Sequence, residues 1–155
     1  MDFTKISDTD KGYLAGLIDG EGSVFIMRQR PTSKKSGNVS TDYAVRVTVA
    51  NTDKAVLEWV QSLCGGLVLG PAKCKNPRWK PVWTWRITRQ DAVDFLREIR
   101  GLLRIKGTQA WLALEFNAQK TSFARTGLGV RLTVEELALR EGYALAMQYL
   151  NARGI

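Results

Sequence analysis

The sequence predicts an α+β fold, an α-ββα-ββα core whose four-stranded antiparallel sheet carries helices on one face and leaves the other open to water or a ligand, with extra C-terminal helices. Three observations predict it. Apolar residues pass from helical spacing to strict alternation and back, and do so twice. Each pair of alternating runs is joined by a glycine-containing polar stretch, as hairpins are. Acidic residues gather in the helical segments, whereas lysines and arginines gather in the strands and their loops.

The first helix is expected over about Asp8–Asp19, where Ser7, Asp8 and Thr9 offer capping oxygens and Tyr13, Leu14, Leu17 and Ile18 fall at helical spacing. "SVFIMRQR" and "DYAVRVTVA" follow as β-rich runs joined by the long loop "PTSKKSGNVST". In the second run Tyr43, Val45, Val47 and Val49 alternate with Asp42, Ala44, Arg46 and Thr48, so one face is core and the other is wet or holds a ligand. "NTDKAVLEWVQSLCGG" supplies a cap near Asn51 to Asp53, a stripe of Val56, Leu57, Val60 and Leu63, and a Gly-Gly stop. The order then repeats. "LVLGPAKCK" and "PVWTWRIT" make a second hairpin, with Trp83, Trp85 and Ile87 read as core and Thr84 and Arg86 as outward, and "TRQDAVDFLREIRG" makes a second capped helix ending near Gly101. "TQAWLALEFNAQK" and "TVEELALREGYALAMQYLNAR" add two helices, the latter opened by a Thr133/Glu136 capping box. A single domain is expected over residues 1–155, with a core of about 8–119 and a C-terminal helix of about 133–152.

Composition narrows the function. A chain of 155 residues that is 45% apolar can bury a real core, and its 23 Lys+Arg against 15 Asp+Glu suggest an anionic partner, nucleic acid above all. The absence of histidine removes Ser-His and Cys-His nucleophiles, histidine bases and histidine metal ligands. Cys64 and Cys74 form neither a disulfide framework nor a CxxC pair, so a reduced intracellular chain is expected, in the cytoplasm of a prokaryote or in an organelle. No apolar run reaches the roughly 18–20 residues of a membrane span, and "MDFTKISDTDKGY" has no signal-peptide pattern. No membrane partner is expected.

Charge locates the binding face. From Arg28 to Arg46 five basic residues, Arg28, Arg30, Lys34, Lys35 and Arg46, stand against one acid, Asp42. From Lys73 to Arg89 six, Lys73, Lys75, Arg78, Lys80, Arg86 and Arg89, stand against none. Two adjacent hairpins with these residues on their open face and loops would form a basic platform for phosphates. A strand of nine or ten residues spans some 30 Å, about nine base pairs of duplex.

The stretch "GYLAGLIDGEG" needs its own explanation. Glycine inside a helix costs about 1 kcal/mol relative to alanine, and Gly12, Gly16 and Gly20 recur four apart on one face. Close approach of two helix backbones would compensate, while Gly22 is read as a simple helix end. "LAGLIDGEG", Leu14 to Gly22, resembles the signature of the LAGLIDADG homing endonucleases, with Gly20 for alanine and Glu21 for the second aspartate, and the order of elements resembles that family from roughly Thr9 to Lys106. A single motif resembles the homodimeric branch. The resemblance implies a dimer interface at Gly12, Tyr13, Gly16, Leu17 and Gly20, and a site-specific, metal-dependent DNA endonuclease associated with an intron or intein. Its alternative within the same fold is an RNA maturase or DNA-binding regulator without cleavage, with intron RNA as a further partner.

By the family pattern Glu21 is the metal-binding carboxylate, aided by the Gly20 carbonyl, and Mg²⁺ or another divalent cation is the implied cofactor. Asp19 is expected to make local hydrogen bonds instead. Lys106 falls where many relatives carry an active-site lysine, or it is a solvent lysine opening a helix. Asn51 either holds water near the metal or caps a helix. If Glu21 faces DNA, alternation sends Ser23, Phe25, Met27 and Gln29 the same way and buries Val24 and Ile26, unless a bulge brings Arg28 and Arg30 round. The residues expected to touch DNA are Ser23, Arg28, Gln29, Arg30, Lys34, Lys35, Arg46, Thr48, Lys73, Lys75, Arg78, Lys80, Thr84 and Arg86. The expected partner is double-stranded DNA with a pseudo-palindromic site of roughly 18–22 base pairs.

Overall fold

The computed structural model describes residues 2–29, 41–73, 76, 78–122 and 132–152. Within them the chain forms α1 (Asp8–Glu21), β1 (Gly22–Gln29), β2 (Asp42–Asn51), α2 (Lys54–Cys64), β3 (Leu67–Leu69), β4 (Trp83–Thr88), α3 (Arg89–Ile99), α4 (Gly107–Ser122) and α5 (Val134–Ala152), after a short 3₁₀ turn at Phe3–Lys5. The architecture is α+β, with a four-stranded antiparallel sheet in the order β1-β2-β4-β3. Arg30, Lys34, Lys35 and Lys75 lie outside the described residues.

Helix α1 starts where Ser7 Oγ accepts the Asp10 N–H at 3.1 Å, with Asp8 and Asp10 complementing the positive end of the helix. It runs two residues beyond the expected end, to Glu21, and passes directly into β1. Gly22 is needed there for a reason other than a left-handed cap: its φ is −87°, but a Cβ would stand 2.7 Å from both Cα and O of Ile18. The strand can leave the helix so closely only without a side chain. Helix α2 opens on Asp53, whose side chain accepts the Ala55 N–H at 2.9 Å, and ends at the expected glycine pair. Gly66, at φ 81°, would otherwise press a Cβ to 2.5 Å from the Arg86 carbonyl.

The expected capped start of α3 does not hold. Thr88 makes no side-chain cap hydrogen bond, and the chain enters the helix through Arg89 in the left-handed region at φ 61°. The Thr133/Glu136 capping box of α5 does form, with Thr133 N–H donating to Glu136 Oε2 at 2.6 Å and Glu136 N–H to Thr133 Oγ1 at 3.2 Å.

Strand alternation sorts the two faces of the sheet. Val24, Ile26, Tyr43, Val45, Val47, Val49, Trp85 and Ile87 are buried against Leu14, Ile18, Leu57, Val60, Phe95, Leu96 and Phe116 of the helices. Trp85 anchors this layer. Its ring meets Phe95 edge-on at 5.7 Å and its Nε1–H donates to the Gly65 carbonyl at 2.8 Å, which satisfies the one polar atom of the side chain. Strand β1 is an outer strand of the sheet, and α5 lies along it, with Asn151 Nδ2 donating to the Val24 carbonyl at 2.9 Å.

Candidate nucleic-acid interface and active site

Among the described residues no helix covers the other sheet face. The register sets its rows: Ser23 faces Thr48, which faces Arg86, which faces Leu67; Phe25 faces Arg46, which faces Thr88. Ser23 is exposed, and Arg46, Thr48, Thr84 and Arg86 are half-buried along it, lining shallow hollows. Arg46 lies over the Phe25 ring, its guanidinium carbon 5.7 Å from the centroid. Burial, and then the like charge of Arg86, push the Arg46 guanidinium below its ordinary value. Its Nε is buried with no hydrogen-bond partner. A buried donor without an acceptor, beside a second arginine, is a place for an anionic or acceptor-rich ligand.

Phe25 thus gains a role that alternation alone did not reveal, as the platform of a cross-strand arginine. Gln29, exposed on the same face, accepts from Arg89 Nη2 at 3.5 Å. Arg28 is a correction. It faces Tyr43, on the helix side of the sheet, and its guanidinium pairs with Glu141 of α5 at 2.6 Å while Tyr43 Oη donates to the same carboxylate at 2.6 Å. The strand carries no bulge in this register, so parity holds Arg28 off the open face. Lys73, Arg78 and Lys80 are exposed in the connection between β3 and β4, beyond the sheet itself.

At the Glu21 end, two acids take opposite courses. Asp19 is buried, and its contacts are distant rather than local: its carboxylate accepts the backbone N–H groups of Arg104 at 2.6 Å and Lys106 at 2.9 Å. Burial opposes its charge, but the amides of Arg104, Lys106 and Ile105 outweigh it and hold the carboxyl below the usual range. Lys106 returns the contact, its Nζ donating to the Asp19 carbonyl at 2.5 Å. Asp19 and Lys106 therefore clasp the end of α1 to the start of α4.

Glu21, two residues on, is exposed, and its carboxylate has no hydrogen bond or ion pair with any other described residue. Among the last carbonyls of α1, that of Ile18 takes the Gly22 N–H and that of Asp19 takes Lys106 Nζ. Gly20 follows them, exposed. Asn51 lies at the same end of the sheet, its Oδ1 accepting the Asp53 N–H at 2.8 Å; the cap itself is Asp53. The oxygen donors at Gly20 and Glu21 suit a hard divalent cation, though no group of three or more His, Cys, Asp or Glu that could hold a metal occurs among the described residues.

The outer face of α1 is bare. Gly12, Gly16 and Gly20 are exposed, and a Cβ at any of them would meet nothing within 4 Å. Beside them Tyr13 is 51% exposed and Leu17 half-buried. Among the described residues no contact requires these glycines. Nor is any described helix long and apolar enough to cross a membrane.

Comparison with known proteins agrees with this fold. The family model of the LAGLIDADG-like domain matches residues 8–100. Among solved structures, an archaeal intron-encoded homing endonuclease, I-Vdi141I, complexed with DNA, is similar over 92% of this chain and 84% of its own, at 18% identity and a TM-score of 0.67. The homing endonuclease I-CvuI, in complex with the I-CreI target in the presence of 2 mM Mg and with its DNA not cleaved, matches over 92% and 95%, at 16% identity and a TM-score of 0.57. The I-SmaMI LAGLIDADG homing endonuclease bound to cleaved DNA matches over 92% of this chain but 46% of its own, at 18% identity and a TM-score of 0.65. At these identities the likeness is one of fold. No curated protein matches the chain.

Proposed function

This chain belongs to the LAGLIDADG-like domain family, and on that premise we propose that it is a site-specific endonuclease of double-stranded DNA, intron- or intein-associated. It acts as a homodimer on a pseudo-palindromic site of roughly 18–22 base pairs. The observation that carries the reading is the bare glycine face of α1 ending in Glu21, which has no partner among the described residues, at the edge of a sheet face where the buried Arg46 Nε has no acceptor. Packing two copies at Gly12, Gly16 and Gly20, flanked by Tyr13 and Leu17, would bring two Glu21 carboxylates together. That spacing suits scissile phosphates facing each other across the narrow minor groove.

Glu21 and the Gly20 carbonyl would hold a divalent cation, Mg²⁺ by preference, which when bound polarises the phosphoryl oxygen and eases ionisation of water and departure of the 3′ oxygen. Lys106 offers positive charge near the phosphate, kept in place by its bond to Asp19. Asn51 retains its amide group for ordering water. Arg46, Arg86, Thr48, Thr84, Ser23 and Gln29 present donors and acceptors to base edges in the major groove.

The test is incubation with Mg²⁺ of a plasmid carrying the DNA that flanks the protein's own reading frame. Linear product that chelator abolishes is expected. Tight, sequence-selective binding with intact plasmid in Mg²⁺ would overturn the cleavage reading and leave a binding module.

A further inference from the structure

The connection between β3 and β4 exposes an aromatic side chain that neither the core nor the open sheet face uses. Trp79 is 65% exposed, and both its neighbours, Arg78 and Lys80, are exposed too. The turn that presents it is held at its tip, where the Arg78 N–H donates to Asn76 Oδ1 at 3.0 Å and the Trp79 N–H to the Asn76 carbonyl at 3.1 Å. At its base the hairpin ladder continues beyond Leu69, with the Ala72 N–H donating to the Val82 carbonyl at 2.8 Å. An indole set between two cations is complementary to a polyanion whose grooves also offer apolar sugar and base-edge surface, which describes a nucleic-acid duplex.

The register says where on the sheet it lies. Gly22 faces Val49 and Asn51 faces Trp83, so β4 begins at the end of the sheet where Glu21 stands, while the β1–β2 connection leaves from the other end. The Trp79 turn therefore leaves the sheet on the Glu21 side, displaced sideways by two to three strand spacings, about 10–14 Å.

We propose that Trp79 is a DNA-contacting residue whose indole packs into the groove beside the cleaved steps, with Arg78 and Lys80 on the adjoining phosphates. The inference rests on the endonuclease reading. It differs from a purely electrostatic loop in assigning the contact to an apolar side chain, and it puts the contact near the centre of the site rather than at its ends.

The experiment measures binding without added Mg²⁺ on two probes, the duplex that the wild type cleaves and a long mixed-sequence duplex. Trp79→Ala should weaken binding to both by roughly five- to tenfold with an unchanged salt slope, whereas Arg78→Ala should lower that slope by about one. Tryptophan emission of the wild type should be quenched on binding, and Trp79→Phe should keep most of the affinity while losing that part of the quench. Trimming the outer base pairs of the cleaved duplex should leave the quench in place. A Trp79→Ala protein that binds like the wild type overturns the inference alone, as does a quench that disappears with the outer base pairs. A wild type with no affinity for either duplex overturns the endonuclease reading itself. Because Trp79 and Arg78 are exposed, unchanged thermal unfolding of all three variants separates contact from folding.

Discussion

Asp19 and Glu21 stand two residues apart in the last turn of α1, about 200° apart around the helix, and their surroundings are opposite. Asp19 points inward, where amides from a segment 85 and 87 residues away complete it; Glu21 points outward and has no partner among the described residues. A buried carboxylate whose two oxygens each accept a backbone amide is committed to the fold and poorly placed to reach a metal. The difference divides the labour of one helical turn: the inner acid fixes the architecture and the outer acid remains available for chemistry.

Glu21→Gln should break the outer half of that division and produce the largest effect on activity. Cleavage should fall to background in Mg²⁺, while DNA binding and unfolding stability stay within about 0.5 kcal/mol of the wild type, as for a surface change. Cleavage near the wild-type rate, measured on the same plasmid, would remove Glu21 from the mechanism.

Gly16→Leu tests whether the bare face is an interface. Within one chain the new side chain has room, since a Cβ there meets nothing within 4 Å, so the monomer should fold normally. In a dimer packed at the glycines it would force the backbones apart, and sedimentation should show dissociation together with loss of double-strand cleavage. An unchanged dimer would place the interface elsewhere.

Asp19→Asn tests the inner half. Replacing a charged acceptor of two backbone amides should destabilise the fold by about 1.5–3 kcal/mol, read by denaturant unfolding. The pH dependence has a definite sign. The folded carboxyl lies below its ordinary value, so the folded state binds fewer protons than the unfolded one, and its contribution is full above an ordinary carboxylate pKa of about 4 and fades as pH falls through the folded value. The gap between wild type and variant should therefore narrow on acidification. A gap independent of pH down to strongly acid conditions would mean that the clasp does not depend on the charge.

Much of this division was legible in the sequence, and the part that was not is non-local. The period-2 pattern placed Val24, Ile26, Val45 and Val47 on one face and Ser23, Arg46 and Thr48 on the other, because a half-buried strand leaves no other way to bury its apolar set. The glycine spacing of α1 marked a face without side chains, and the structure leaves that face open. Hidden from view were the distant amides that claim Asp19, the helix α5 whose Glu141 claims Arg28, and the left-handed Arg89 that replaces a cap at α3. Each depends on which remote segment arrives, and neither spacing nor propensity carries that information. The Arg46–Phe25 pair lies between these cases: it follows from register, which needs the pairing of two strands.

Arg46 and Arg28 restate the comparison on the sheet and give the smaller effects. Arg46→Ala should cost free-protein stability little, because the lost contact over Phe25 is offset by removal of a buried donor that has no partner, yet it should relax preference at one base position in each half-site by about 1–3 kcal/mol. Arg28→Ala should do the reverse, and weakly. Its ion pair with Glu141 is partly exposed, with side chains 37% and 40% accessible, and such pairs contribute about 0.2–1 kcal/mol. Tyr43 Oη would still hold Glu141, which limits the loss further. A cleavage profile across all single-base variants of the target should then be unchanged for Arg28→Ala and altered at mirrored positions for Arg46→Ala. An Arg28→Ala enzyme with a relaxed base position would mean that the guanidinium swings from Glu141 round the strand to the open face when DNA is bound, and that the parity of β1 does not decide which arginines read sequence.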